Sequence, residues 1–421
     1  MGKSLLFSFT SKFLSAGFNF LLAIVLSQFL GKEGKGICSQ FIAIITFIQL
    51  FCDVVSGPNL VVLSRKYSTR RLFFLSLTWN FLLSIFLGWI VSLSNLSSTE
   101  NILLLIGISF LNAQVSSHQH LLTGLEKFNF VSVLNLIQSA LILGTTFLLL
   151  NKPDDASYLK YLYALFISFL LIWVLGMYLL LNEKPKRNFT EDQKLFSDAF
   201  HTGIKNQVGV FLQQINSRIS FLLLVPAGLG LFSNACSVVE SIWIIATSFS
   251  AILFGRIANE ASEIKKVSLS LEYFKWTMAL ALVSCLLLIS IPDEFFQWIF
   301  GKDFFGISEL IFRLAPGILS FSGFIILGHY FSGKADFNKN TIAICGGLLI
   351  TLMGWGYIKM NGRVADTIFI STLTSLSYFM NFLIILLLFQ RETKRKWSEF
   401  ILQKKDIILV MEQIRKRNFK D

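Results

Sequence analysis

Charge is scarce in this sequence. Asp, Glu, Lys and Arg make up 15% of 421 residues, while hydrophobic residues make up 54%. A soluble domain carries about a quarter of its residues charged, so the chain holds more apolar surface than a water-soluble fold can hide. Polar stretches between the apolar runs are also short, which leaves no loop large enough to fold as a soluble catalytic domain. The motifs of nucleotide and acyl chemistry are missing. There is no Walker lysine loop, no G-x-S-x-G elbow and no dinucleotide fingerprint. His118, His120 and His329 stand apart from one another with no H-E-x-x-H spacing, so no metal site is expected. The five cysteines, Cys38, Cys52, Cys236, Cys285 and Cys345, all lie inside apolar segments without paired spacing, which excludes a disulfide framework.

What the sequence does have is long hydrophobic runs. A helix needs about 20 apolar residues to cross a bilayer core, and such runs recur about twelve times. In the first half they are placed near Ser4 to Leu30, Ile37 to Leu63, Leu72 to Leu93, Ile102 to Leu122, Phe130 to Leu150 and Tyr158 to Leu181. In the second half they are placed near Phe200 to Val225, Leu231 to Phe254, Leu271 to Ile291, Ser308 to His329, Thr341 to Ile358 and Thr367 to Phe389. The first run is too long for a signal-peptide core and has no A-x-A-like site after it, so it reads as a retained helix.

Lys and Arg fall unevenly across this pattern. With the N-terminus inside, the outer loops hold only Lys32, Lys35, Lys152, Lys160, Lys302, Lys359 and Arg363. The remaining loop cations and the basic tail lie on the cytoplasmic side, which is the arrangement that short cytoplasmic loops favour. Both termini are therefore expected in the cytoplasm. The net charge of +12 then faces an anionic inner leaflet, and nucleic acid is not an expected partner.

The expected organisation is all-α and polytopic: residues 1–182 form one six-helix bundle, 183–199 a cytoplasmic linker, 200–390 a second six-helix bundle, and 391–421 a basic amphipathic tail. The tail spaces Trp397, Phe400, Ile401, Ile408, Met411 and Ile414 about one helical face, as for a helix lying on the inner leaflet. A shift of 194 positions lays Gly34, Gly36 and Ser39 on Gly228, Gly230 and Ser233, a faint internal repeat. Six helices per half start both halves on the same side, so a pseudo-twofold axis would run along the membrane normal.

Polar side chains inside spanning helices are costly and mark cavities or pathways. The seventh helix is the most unusual. Thr202, Lys205, Asn206, Gly209, Gln213, Asn216 and Ser220 fall within about 100° of arc, and Gln207, Gln214 and Arg218 form a second stripe opposite. The first helix carries Ser4, Ser8, Ser11, Lys12, Ser15 and Asn19 on one face. Lys12, Lys205 and Arg218 would give a cavity between these helices a positive potential, suited to an anionic head group such as a pyrophosphate. The competing reading is that each cation snorkels or is salt-bridged near a helix end. Asp53 precedes Ser56, Gly57 and Pro58, a break expected to free backbone carbonyls for a proton or cation, H+ or Na+. Asp53 is then either a coupling group or the partner of Lys12 or Lys205. Glu240 is a second coupling candidate, although for both Glu240 and Arg313 the simplest expectation is structural pairing or hydrogen bonding between helices.

Several stretches resemble a known family. They are Ser27 to Gly36 (SQFLGKEGKG), Gly124 to Phe128 (GLEKF), Gly228 to Ala235 (GLGLFSNA), Glu240 to Trp243 (ESIW), Phe300 to Phe304 (FGKDF) and Leu314 to Leu319 (LAPGIL). In their order they are similar to the polysaccharide-export flippases of the multidrug/oligosaccharidyl-lipid/polysaccharide superfamily, which includes the Wzx-type O-antigen flippases. The resemblance implies a MATE-like fold of two six-helix bundles around a cationic cavity. It also implies a transporter with no cofactor, carrying an undecaprenyl-pyrophosphate-linked oligosaccharide across the cytoplasmic membrane of a bacterium, with polysaccharide polymerases among its partners. Relatives often carry an acidic residue in the seventh helix where this chain has Ser220, so ion coupling there is not implied. Three rivals stand beside this reading. A drug extruder of the same superfamily should prefer acidic, aromatic cavities; a polymerase or ligase should show a large outer loop; and a lipid II flippase should show two more helices.

Overall fold

The computed structural model describes residues 2–64, 66–93, 99–150, 157–182, 194–334, 336–362, 365–403 and 406. Side chains are described within these ranges except at 2–9, 99–100, 205–206, 251 and 258–259. Among the described residues every regular element is helical, as the apolar run lengths require. In the first half these are α1 (Gly2–Ser56), α2 (Asn59–Leu63), α3 (Thr69–Leu93), α4 (Thr99–Gly124), α5 (Phe128–Leu149) and α6 (Tyr158–Leu181). In the second half they are α7 (Leu195–Leu223), α8 (Pro226–Glu240), α9 (Trp243–Asn259), α10 (Glu263–Ile289), α11 (Asp293–Phe300), α12 (Ile307–Gly333), α13 (Phe337–Met360) and α14 (Thr367–Thr393).

Eight of the described helices are long and apolar enough to cross a membrane, nine if the pair α8 and α9, bent by 44°, is one span. The chain is a multi-pass membrane protein. The 55-residue α1 is broken at Gly31, whose φ of 63° lies in the left-handed region that glycine tolerates. Both arms pack into one core, in which Leu22 and Leu26 meet Phe41, Ile44, Ile48 and Leu105. α4 and α7 are 26 and 29 residues long yet are not among the apolar spans, because both carry polar side chains along their length.

The helices pack as two compact units, one of residues 1–234 with 293–307, the other of residues 235–292 with 308–421. In the first unit α7 and the opening turns of α8 pack with α1 to α6. α11 joins them: Gln28 donates to the Ile299 carbonyl at 2.7 Å, and Phe20 meets Phe300 edge-on. At the other end of α1, the break at Gly57 and Pro58 is tied to α7 through Asn59. Its amide donates to the carbonyls of Val54 and Val55 at 3.2 Å each and to Ala199 on α7 at 2.8 Å. Asn59 is buried, with 1% of its surface exposed, so its loss strands acceptors that water cannot reach. Asn59→Ala should therefore cost about 2 to 3 kcal/mol and lower the melting temperature in detergent by several degrees. An unchanged melting curve would remove Asn59 as the tie.

The second unit closes through small residues. Gly347 of α13 sits so close to α14 that an added Cβ would overlap the Asn381 side chain, and Ser377 donates to the Gly347 carbonyl at 2.9 Å. Lys334 pairs with Glu392 at 2.6 Å and Glu263 at 3.0 Å, joining the ends of α14, α12 and α10. The expected amphipathic helix does not start at Arg391. α14 runs to Thr393, Lys394 takes a left-handed φ of 52°, and residues 397–400 form a single 3-10 turn. That turn folds inward because Phe400 finds Phe274 and Phe389, and Asp406 pairs with Lys275 at 3.0 Å. The rest of the expected tail helix, like most of the expected linker, lies outside the described residues.

Candidate functional site

The face of α7 that meets α1 follows helical spacing. Gly203, Gln207, Phe211, Gln214 and Arg218 recur every three to four residues on one stripe. Gly203 permits the approach, since a Cβ there would overlap the Val54 carbonyl. Gln207 donates to the Asp53 carbonyl at 3.3 Å, and Phe211 meets Phe51 with ring centroids 5.1 Å apart. Farther along, the Arg218 guanidinium lies 5.0 Å from the centre of the Phe221 ring. The stripe read from sequence as secondary, with Gln207 and Arg218, is thus the one on the α1 side. The stripe of Gln213, Asn216 and Ser220 is turned away from it.

Asp53 therefore sits at a packed helix junction and not beside an open helix end. The expected freeing of backbone carbonyls at the Gly57–Pro58 break is corrected here. The Asp53 carbonyl accepts from the Gly57 N–H at 3.0 Å as well as from Gln207, and Asn59 covers Val54 and Val55. The carboxylate remains. The Gln49 and Ser116 side chains approach it as hydrogen-bond donors, while its Oδ1 is buried without a partner in bonding geometry. Gln49 is itself held by Asn112, whose amide donates to Gln49 Oε1 at 2.6 Å. Sequence reading missed Gln49, Asn112 and Ser116. Their signal was the i, i+4 spacing of Gln49 with Asp53 and of Asn112 with Ser116, which puts each pair on one helix face. Among the described residues no cation pairs with Asp53.

Just before α7 enters its apolar stretch, Asp198 accepts from both Lys66 and Tyr67 in the turn after α2. The hydrogen bond from Lys66, and then that from Tyr67, holds the Asp198 carboxyl below its usual range. This tie is fully present above the carboxyl's ordinary range and is lost as pH falls through the lowered value.

The other sequence candidates are spread over several helices. Lys12 and Asn19 are exposed on the first arm of α1, whose Ser11 is turned inward and donates to the Ser132 carbonyl on α5 at 2.6 Å. Gln213 and Arg218 are half-buried and Asn216 is buried on α7. Lys205 and Asn206 are part of that helix, with side chains outside the described residues. Glu240 ends α8 in the second unit, half-buried and partnered. Arg313 pairs with Glu309 one turn away on the same helix at 2.7 Å, not with a neighbouring helix as expected. No group of three or more His, Cys, Asp or Glu that could hold a metal occurs among the described residues.

Among solved structures the chain is similar to the lipid II flippase MurJ in an inward closed conformation. The TM-score is 0.74 and the identity 15%, over 94% of this chain and 89% of that one. It is similar to an inward-facing MATE family multidrug transporter of the MOP superfamily, with TM-score 0.67 and 13% identity over 90% of this chain and 94% of that one. It is also similar to the MATE multidrug transporter DinF-BH, solved as a complex, with TM-score 0.66 and 14% identity over 94% of this chain and 95% of that one. At these identities the likeness is one of fold. No curated protein matches. The family described as "Polysaccharide biosynthesis protein" matches residues 1–258, more than half of the chain. The all-α multi-pass fold and this family match agree: the chain belongs to the polysaccharide biosynthesis protein family.

Proposed function

We propose that this protein flips a polyprenyl-pyrophosphate-linked oligosaccharide, a precursor of O-antigen, capsule or exopolysaccharide, across the cytoplasmic membrane of a bacterium. The observation that carries the reading is the pair of polar helices in a polysaccharide-family chain. The first arm of α1 presents Lys12 and Asn19, and α7 carries Gln213, Asn216 and Arg218. A pyrophosphate leaving bulk water needs charge-assisted hydrogen bonds, which Lys12 and Lys205 would supply, while Arg218, on the opposite stripe of α7 and over the Phe221 ring, is left out of the pyrophosphate contact. Asn19, Asn206, Gln213 and Asn216 would meet sugar hydroxyls, and the polyprenyl tail would stay in lipid.

In this reading both termini are cytoplasmic, the two bundles alternate access, and Asp53 takes up the coupling cation, H+ or Na+. A carboxylate that neutral donors surround and no described cation matches has a reason to bind one. Glu240, already partnered, is the weaker coupling candidate.

Deleting the gene in its host tests the reading. The expected result is loss of surface glycan with finished repeat units trapped on the inner face as undecaprenyl-linked lipid. Intact glycan with new sensitivity to organic cations would replace this reading with that of a drug extruder.

A further inference from the structure

Residues 290–306 join α10 to α12, two apolar spans of the second unit, yet α11 within them packs in the first unit. Four chain steps separate Ile289 from Asp293, a reach of at most about 14 Å, so α11 starts close to where a spanning helix ends. The segment also returns there. The Gly306 N–H donates to Asp293 Oδ2 at 2.8 Å, one residue before α12 begins. The loop is therefore held at a membrane surface.

At about 100° per residue, α11 divides into three sectors about its axis. Phe296 and Phe300 are buried. On that side Phe300 packs edge-on against Phe20 of α1, and the Ile299 carbonyl accepts from Gln28. The next sector is polar, with Asp293 and Gln297 hydrogen-bonded to each other at 3.2 Å and Glu294 exposed. The last sector carries Phe295, Trp298 and Ile299. Phe295 and Trp298 are 43% and 77% exposed, and Phe305, just beyond the helix, is 74% exposed. Single exposed apolar residues are ordinary, but these are grouped on the side away from the polar sector. Protein, water and apolar solvent on three successive sides are what a helix meets when it lies in the bilayer plane against a bundle. Tryptophan, apolar in body and polar at one atom, is suited to the headgroup level. Asp293, Glu294 and Asp303 outweigh Lys302 here, whereas the opposite end of α10 carries Lys265 and Lys266. That difference sets α11 on the outer face of the membrane in the topology given above.

We propose that α11 and Phe305 form an interfacial anchor, which lies in the outer leaflet at the boundary of headgroups and acyl chains and fixes the depth of the α1 break in the bilayer. The partner is phospholipid, held through apolar area and not through headgroup charge, since the segment has no excess of cations. Three contacts carry the anchor to α1: Phe300 on Phe20, Gln28 on the Ile299 carbonyl, and the Asp303 carboxylate beside Gly31. Only the choice of leaflet rests on the topology proposed above; the anchor itself requires a membrane protein and no particular substrate.

The test uses the full-length protein with its native cysteines replaced by alanine. Phe295→Cys and Trp298→Cys each receive an environment-sensitive fluorophore, in vesicles of phosphatidylcholine with or without added phosphatidylglycerol. Both side chains are exposed, so neither substitution leaves a cavity. Both labels are expected to emit to the blue. A nitroxide high on the acyl chain is expected to quench them several times more strongly than one near the chain end or than aqueous iodide, in both lipids alike. In spheroplasts, Glu294→Cys is expected to react with a membrane-impermeant maleimide added outside. Labels that iodide quenches more than either nitroxide overturn the anchor in favour of a helix in water. Labels shielded from all three quenchers overturn it in favour of a protein partner or a second copy of this chain. Quenching by nitroxide only when phosphatidylglycerol is present overturns the charge-independent contact. A Glu294→Cys protein that reacts only in inverted vesicles overturns the outer leaflet and the topology with it, while the quenching pattern still decides the anchor.

Discussion

Asp53→Asn is expected to slow gradient-driven transport by a factor on the order of ten to a hundred, the usual size of coupling between two sites, while substrate binding changes little. The substitution keeps the size of the side chain and its contacts with Gln49 and Ser116, so the junction of α1, α4 and α7 stays packed. It removes the negative charge and puts an amide NH2 in place of one carboxylate oxygen, a change that the unpartnered Oδ1 position admits without loss of the two donors. If that charge takes up the coupling cation, an imposed gradient no longer accelerates the variant, whereas exchange of substrate between two sides at equilibrium continues. The measurement is the initial rate in vesicles with and without the gradient. Equal gradient-driven rates for the two proteins would reduce Asp53 to a structural residue. Gln49→Ala should have a smaller effect in the same direction, because Gln49, held by Asn112, positions the carboxylate and does not carry the charge.

Removing both Lys12 and Lys205 as alanines is expected to abolish surface glycan while leaving protein level and topology unchanged. A charge-assisted hydrogen bond is worth about 1.5 to 3 kcal/mol, so two cations on one pyrophosphate account for a loss of affinity on the order of a hundredfold or more. Lys12 is exposed on α1, so its truncation leaves no cavity, and misfolding is not the expected cause of the loss. Each single variant should lose less than the pair, and arginine at either position should restore display, because a second fork of donors serves a phosphate as well as an ammonium does. Normal glycan display in the double variant would remove the two lysines from the cavity.

Much of the fold was legible because membrane helices declare themselves by length. The runs read from sequence coincide with α3, α5, α6, α10, α12, α13 and α14, and the turn between the first two runs is the break at Gly31. α7 was legible for the opposite reason, through its density of amides and charges. Which of its stripes meets α1 was not legible, since helical period fixes the stripes but not the neighbour. That choice is made by Gly203, whose lack of a side chain admits the Val54 carbonyl. The state of the Asp53 carbonyl was hidden for a related reason. A Gly–Pro break does interrupt the helix, but Asn59 and Gln207 supply donors from two residues on and from another helix. The start of the tail departs from the expected helix because Phe400 fits the amphipathic pattern equally well when it packs on Phe274 and Phe389. The repeat of Gly36 and Ser39 at Gly230 and Ser233 was visible as a pattern, and only three dimensions showed that the copies touch.

The central claim is that this chain moves a lipid-linked oligosaccharide. Its most direct test is flipping by the purified protein in sealed vesicles, read with a fluorescent polyprenyl-pyrophosphate glycan and a quencher that does not cross the membrane. The expected result is that the protein makes the inner-leaflet pool accessible to the quencher at a rate well above that of protein-free vesicles, and that unlabelled lipid-linked glycan competes. No acceleration over protein-free vesicles, together with efflux of an organic cation by the same preparation, would contradict it.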